Sequence, residues 1–357
     1  MEAELRKVIG QHLHIGIPGT QASSEIDKII EDIHPGGIIL FGENYVDLKQ
    51  LVELNQYLHD FCKNNSLNAL SSFIGVDHEG GRVQRFKEPF THFSALAEWG
   101  EENSSSLCFE RALRQGQELK AAGISINYAP VLDLNECQSK AILDRSLSSD
   151  PKVVSALGSA LIRGYLKAGI LPVAKHFPGH GSVKEDSHYD LPVSKKSLKM
   201  LIEEDLVPFK KALKSKLPAI MLSHVIYKEI DEGVSATFSK KIVNELIYKE
   251  CRAKNVLIFS DDMDMKAITK QLPIEQSVEK ALRAGIHQLL LCHSFDSYEF
   301  VTKHLVDVAL KDKSFEEKLY SNIDIVKKIK YSFLEDKTLK LNLNDAEDII
   351  NSEFVEN

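Results

Sequence analysis

Cysteine is scarce and unpatterned in this chain. Cys62, Cys108, Cys137, Cys251 and Cys292 are scattered, odd in number and never spaced CxxC. That pattern excludes a disulfide framework and a structural zinc site, and the five read as reduced packing residues. Basic residues are also in deficit: 44 Lys and Arg stand against 52 Asp and Glu, for a net charge of −8. The basic footprint that selects nucleic acid or an anionic membrane is therefore missing, and a small, neutral or modestly charged ligand fits better. No apolar run approaches membrane-spanning length, and the opening MEAELRKVIGQHLHIG has acids among its first residues and no apolar stretch of signal-peptide length. A cytoplasmic location is expected. No GxGxxG follows a first strand and no glycine-rich loop ends in GK[ST], so the phosphate cradles of dinucleotide and P-loop proteins are absent.

What is present is a repeat. Short apolar runs recur at Leu13–Ile17, Gly37–Phe41, Phe73–Asp77, Ser125–Tyr128, Leu171–Lys175, Ala219–Ser223, Val256–Ser260 and Gln288–Cys292. Most are continuously apolar, as parallel strands covered on both faces require, and the intervals accommodate crossover helices. One such helix starts at Asp150: the Asp caps, Pro151 suits the first turn, and Val154, Leu157, Leu161 and Tyr165 share a face. AAGIS at 121, KAGIL at 167 and RAGIH at 283 each place a glycine between a helical pattern and an apolar strand, where a left-handed residue closes the helix. Eight such units without a Ser/Gly/Pro-rich linker predict an α/β fold, a single-domain TIM-like (β/α)8 barrel over 1–340, with an open doubly wound sheet as the alternative. Helices are expected after Cys292, with Phe315, Leu319, Ile323 and Val326 along one face, and residues 341–357 read as an acidic, peripheral tail.

Catalytic groups of a barrel collect at the C-terminal ends of its strands. Polar residues are dense there: Asp77 to Arg82 after the third run, Asp133 after the fourth, Lys175-His176, Ser223-His224 and Asp261-Asp262. The segment KHFPGHGSVKEDSHYDLP, residues 175–192, is the richest. His176 and His180 are four apart, as in a zinc helix, but Phe177-Pro178-Gly179 breaks that helix and the general-base Glu is missing, so no metal is expected. Ser182, Ser187 and Ser223 lack the GxSxG elbow of a serine nucleophile. Asp186 and His188 are two apart, so in an extended segment the carboxylate can orient and charge the imidazole, which then gives a proton to a leaving oxygen. Gly179 and Gly181 are expected to leave this loop free to close over substrate. A carboxylate at the seventh strand end can attack an anomeric carbon, and Asp261 is the leading candidate, although physics alone does not separate it from Asp262.

Taken together, VDHEGGRVQR, DRS, KHFPGHG with DSH, and SDDMDM resemble the β-N-acetylglucosaminidase branch of glycoside hydrolase family 3, in the family's order and from about the first strand to Cys292. The resemblance implies a single-domain barrel, needing no cofactor, that removes terminal non-reducing β-linked N-acetylglucosamine. In cytoplasmic bacterial members the substrate is a peptidoglycan fragment, N-acetylglucosamine on 1,6-anhydro-N-acetylmuramic acid with or without peptide. Carried over residue by residue, it implies Asp261 as nucleophile, His188 as acid/base assisted by Asp186, and sugar contacts from Asp77, Arg85, Arg145, Lys175 and His176. Carboxylates accept from hydroxyls, while Arg and Lys donate to ring oxygens or the acetamido carbonyl. Arg145 could instead pair with its neighbour Asp144, and His180 reads as shaping the loop.

Two positions depart from the family's pattern. His287 replaces an Asp often found in AG-x-D, which puts the pocket wall in question, and Asp264 stands where a small residue is common, at the expected edge of the site. Alternatives are a phosphorylase, since a histidine acid/base does not repel phosphate, and a catalytically silent sugar-binding barrel. The partner expected is a muropeptide-type carbohydrate, not a nucleic acid or membrane, and a monomer is favoured.

Overall fold

The computed structural model describes residues 2–65, 71–137, 139–184, 191–334 and 340–354. All eight apolar runs are strands. In chain order they are β1 Leu13–Ile15, β2 Gly37–Leu40, β3 Phe73–Val76, β4 Ile126–Asn127, β5 Leu171–Phe177, β6 Ala219–Leu222, β7 Leu257–Asp262 and β8 Gln288–Leu291. Each pairs in parallel with its sequence neighbours, and β1 closes on β8, which makes a closed barrel. The open-sheet alternative is thereby excluded. Among the described residues, no helix is long and apolar enough to cross a membrane.

The helix read from Asp150 spans Pro151–Ala168, with the Asp150 carboxylate accepting from the Lys152 amide at 2.8 Å and with Val154, Leu157, Leu161 and Tyr165 buried. It ends at Gly169, and Gly169, Gly123 and Gly285 all have the positive φ the joints call for, +81°, +89° and +114°. Two apolar layers result. Outside, strands pack against helices in one continuous core; inside, Phe73, Tyr128, Val173, Met221, Phe259 and Leu290 fill the barrel. Ile323, Val326 and Ile329, from helix Lys313–Leu334, join that inner cluster. This helix therefore closes the N-terminal end, and the opposite end is the open mouth.

Two of the expectations change here. The residues read as a peripheral acidic tail form helix Leu343–Asn351, which docks on helix Ser105–Ala121 through buried Ala346 and Ile350. Its acids face outward while Ala346 and Ile350, spaced i and i+4, face the helix it docks on. His287 does not reach the pocket: it precedes β8, its ring nitrogen accepts from the Ile258 amide at 3.1 Å, and it is buried at the closed end. A residue before a strand and a residue after it lie at opposite ends of a barrel.

Candidate active site

Strands β5 and β7 each contain a register shift, and each shift falls on candidate site residues. Ala174 pairs with Ile220 but Phe177 with Leu222, and Phe259 pairs with Gln288 but Asp262 with Leu290. An extra residue in one strand re-aims its side chains, so the neighbours Lys175 and His176 both line one cavity instead of alternating. That cavity, of about 340 Å³, is also lined by Asp77, Glu79, Arg82, Arg85, Arg145 and Asp261. A second lobe of about 480 Å³ shares Asp77, Arg85 and Asp261 with the first and continues over Phe41, Met221, Cys292 and His293.

The floor of the first lobe is a chain of buried charges. Lys175 Nζ donates to Asp77 Oδ1 at 2.6 Å and lies 2.7 Å from Glu79 Oε1. Glu79 also accepts a two-pronged contact from Arg145, Nε and Nη2 at 2.8 Å each. Burial alone would push the Glu79 carboxyl up, but Arg145 and Lys175 outweigh it and hold the group well below the ordinary carboxylate range. Burial would likewise discharge Lys175, and Asp77 and Glu79 reverse the effect, raising its pKa. Lys175 thus fixes Asp77 on one side, with Arg85 4.0 Å away on the other.

Asp133 organises the next segment. Fully buried, it accepts from the His176 ring Nδ1 at 2.7 Å and from the His180 amide at 2.6 Å. Burial pushes its carboxyl up, and His176 and His180 more than cancel that. With Nδ1–H given to an ionised Asp133, the imidazole presents Nε2 toward Asp261 Oδ2, 3.9 Å away, beyond direct hydrogen-bond range. Asp261 lines both lobes of the cavity. Asp262 differs: its Oδ1 accepts from the Asp264 and Cys292 amides at 3.0 and 3.3 Å, and burial, then Asp264, push its carboxyl up to about 7. Asp264 in turn accepts from the His293 amide at 2.8 Å and the Ser294 amide at 3.1 Å, which builds the rim after β8.

The structure thus gathers Asp77, Arg85, Arg145, Lys175, His176 and Asp261 around one cavity. Asp186 and His188 lie outside the described residues. Arg145 pairs with Glu79 rather than with Asp144, which is taken by Arg82 at 2.7 Å, because the bend at Leu143–Arg145 turns the two neighbours apart. The glycines of the loop serve close packing instead of freedom. A Cβ at Gly181 would stand 1.4 Å from the Leu134 carbonyl, and one at Gly179 would stand 2.5 Å from Asp205. His180 is buried and its amide is bound to Asp133, in keeping with a shaping role.

Glu79 and Asp133 were not among the expected site residues. Glu79 had a signal, since it follows Asp77 by two in an extended segment and so shares its side. Asp133 had only its place after a strand.

The family model described as glycosyl hydrolase family 3 N-terminal domain matches residues 4–324. A β-hexosaminidase of Nitrosospira multiformis is 36% identical over 302 residues, covering 82% of this chain and 83% of that one. Another from Idiomarina loihiensis is 38% identical over 287 residues, covering 79% and 83%. A family 3 β-N-acetylglucosaminidase structure from Paenibacillus superposes with a TM-score of 0.89 at 28% identity, covering 97% of this chain and 67% of that one. NagZ of Neisseria gonorrhoeae, in complex with N-trifluoroacetyl-D-glucosamine, superposes with a TM-score of 0.74 at 27% identity, covering 88% and 97%.

Proposed function

The chain belongs to glycosyl hydrolase family 3, and from that premise we propose that it is a retaining exo-β-N-acetylglucosaminidase whose nucleophile is Asp261. The observation that carries the reading is the position of Asp261, at the shifted end of β7 where the two lobes meet, facing His176 and the Asp77, Arg85, Arg145 and Lys175 cluster. A carboxylate oxygen there attacks C1 of a bound sugar while the glycosidic oxygen leaves with a proton, and water later cleaves the glycosyl ester. In this reading Asp77 accepts sugar hydroxyls, with Arg85, Arg145 and Lys175 fixing it or donating beside it. His176 presents a ring nitrogen to the sugar. His188, oriented by Asp186, supplies the proton and later takes one from water.

A lobe of about 340 Å³ lies at the lower end of small-ligand pockets and suits one terminal residue, which supports exo action. The natural substrate we propose is a peptidoglycan fragment, N-acetylglucosamine on 1,6-anhydro-N-acetylmuramic acid with or without peptide, met in the cytoplasm during wall recycling.

The test is a panel of aryl N-acetylglucosaminides run with and without phosphate. Asp261→Asn is expected to lower kcat by at least about 10³-fold, and unchanged turnover would remove Asp261 from its role. Release of free sugar supports the hydrolase; release of sugar 1-phosphate would make the chain a phosphorylase.

A further inference from the structure

The family-matched stretch ends at 324, yet residues beyond it connect, through a chain of contacts, to a hairpin whose side chains line the cavity. Arg114, on helix Ser105–Ala121, grips the chain after helix Leu343–Asn351: Nη1 donates to Ser352 Oγ at 2.6 Å, and Nη2 donates to the carbonyls of Ile350 and Ser352 at 2.8 and 3.0 Å. The same guanidinium donates from Nε to Glu118 Oε1 at 2.5 Å. Glu118, its side chain only 1% exposed, passes the link on by accepting from the Thr91 amide at 3.0 Å and the Thr91 hydroxyl at 2.5 Å. The Thr91 carbonyl accepts from Gln84 Nε2 at 3.0 Å, and Gln84 Oε1 accepts from the Phe93 amide at 3.1 Å.

Gln84 belongs to a two-stranded hairpin, His78–Gly80 against Val83–Gln84, which carries Glu79 and Arg82 and leads into Arg85. An apolar route runs in parallel. Phe354 packs edge-on against Phe93, ring centroids 6.0 Å apart, and the Phe93 carbonyl accepts the Gly81 amide at 2.8 Å at the tip of that hairpin. Strands of two and three residues do not hold themselves in water and take their position from what they pack on.

We propose that segment 341–354 is a brace for this hairpin, and that Arg114, Glu118 and Phe354 are positioning residues that act on substrate through Glu79 and Arg85. The effect on turnover rests on the reading of the cavity as the sugar site; the brace itself does not. Displacing a binding side chain by a fraction of an ångström weakens binding before it abolishes chemistry.

The test uses the full chain with Phe354→Ala, Arg114→Met, Arg114→Lys and Gln84→Met. Two readouts are taken: amide hydrogen exchange across 78–85, and KM and kcat for an aryl N-acetylglucosaminide. Phe354→Ala and Arg114→Met are expected to speed exchange at Gly81 about tenfold, with the β6 and β7 amides unchanged, and to raise KM about threefold to tenfold with kcat within about twofold. Arg114→Lys, which keeps the charge, is expected to recover part of the KM. Combining Phe354→Ala with Gln84→Met is expected to cost less than the two changes summed, because both loosen one hairpin. Hairpin exchange equal to that of the unaltered chain, or acceleration spread over the whole barrel, overturns the brace. Absence of turnover in the unaltered chain overturns the sugar-site reading, while exchange still decides the brace.

Discussion

The barrel buries a lysine at each end, and the two are solvated in opposite ways. Lys175, at the mouth, lies between the Asp77 and Glu79 carboxylates, which raise its pKa despite burial. Lys330, on the helix that closes the far end, is fully buried and donates to neutral oxygens, Gln11 Oε1 at 2.8 Å and the Ser71 carbonyl at 3.1 Å. Burial lowers its pKa to about 7. Charge is thus kept at the mouth by countercharge, whereas at the closed end an amine with only neutral acceptors has its hold on the proton weakened by burial. An ion kept in a low dielectric is useful where a ligand has to be oriented, and costly elsewhere.

The comparison breaks most visibly if the lysines are exchanged for apolar residues of similar length. Lys175→Met leaves Asp77 and Glu79 short of a cation and is expected to lower kcat/KM by about 10³-fold and stability by about 3–5 kcal/mol; kinetics and urea unfolding measure the two. Retained activity would show that the mouth does not need its cation. Glu79→Gln preserves shape and removes the acceptor charge shared by Lys175 and Arg145, so a loss of about 1.5–3 kcal/mol in transition-state binding is expected from kcat/KM.

Lys330 sharpens the contrast through pH. Its folded pKa lies below the unfolded value, so the unfolded chain binds the extra proton between about 7 and 10.5. Stability therefore rises with pH across that window; the gain is lost progressively as pH falls from about 10.5 and is gone by about 7, below which both states are protonated. Against Lys330→Met, the native chain should gain about 2–3 kcal/mol in unfolding free energy from pH 7 to pH 9. A difference flat in pH would mean that Lys330 keeps its charge. The smallest effect belongs to Arg82→Ala, whose pair with Asp144 is nearly half exposed on both sides; less than about 1 kcal/mol in stability is expected from urea unfolding.

The barrel was legible because an apolar run bounded by turns says strand whatever lies beyond it. What the runs did not mark is where function takes over. β5 continues to Phe177 and β7 to Asp262, past the point where each apolar pattern stops, since polar residues there face a cavity instead of a core. Asp77, Arg85, Arg145, Lys175, His176 and Asp261 are found together because motifs carried them. Glu79 and Asp133 work beneath those residues, and buried second partners leave little trace in spacing. Lys330 was within reach: it follows Val326 by four, on the same stripe as Phe315, Leu319 and Ile323, but a lysine in a helix is usually read as solvent-facing. The Arg114 network was not, as its members come from three distant segments.

The closure of β1 onto β8 has a bearing on synthesis. Leu13 finds its partner only when Leu289 exists, and the β7 end carrying Asp261 is flanked by β8. A nascent chain leaving the ribosome holds seven strands with two bare edges and no assembled cavity until nearly the whole barrel sequence has emerged. Such edges invite pairing with other chains until β8 is in place.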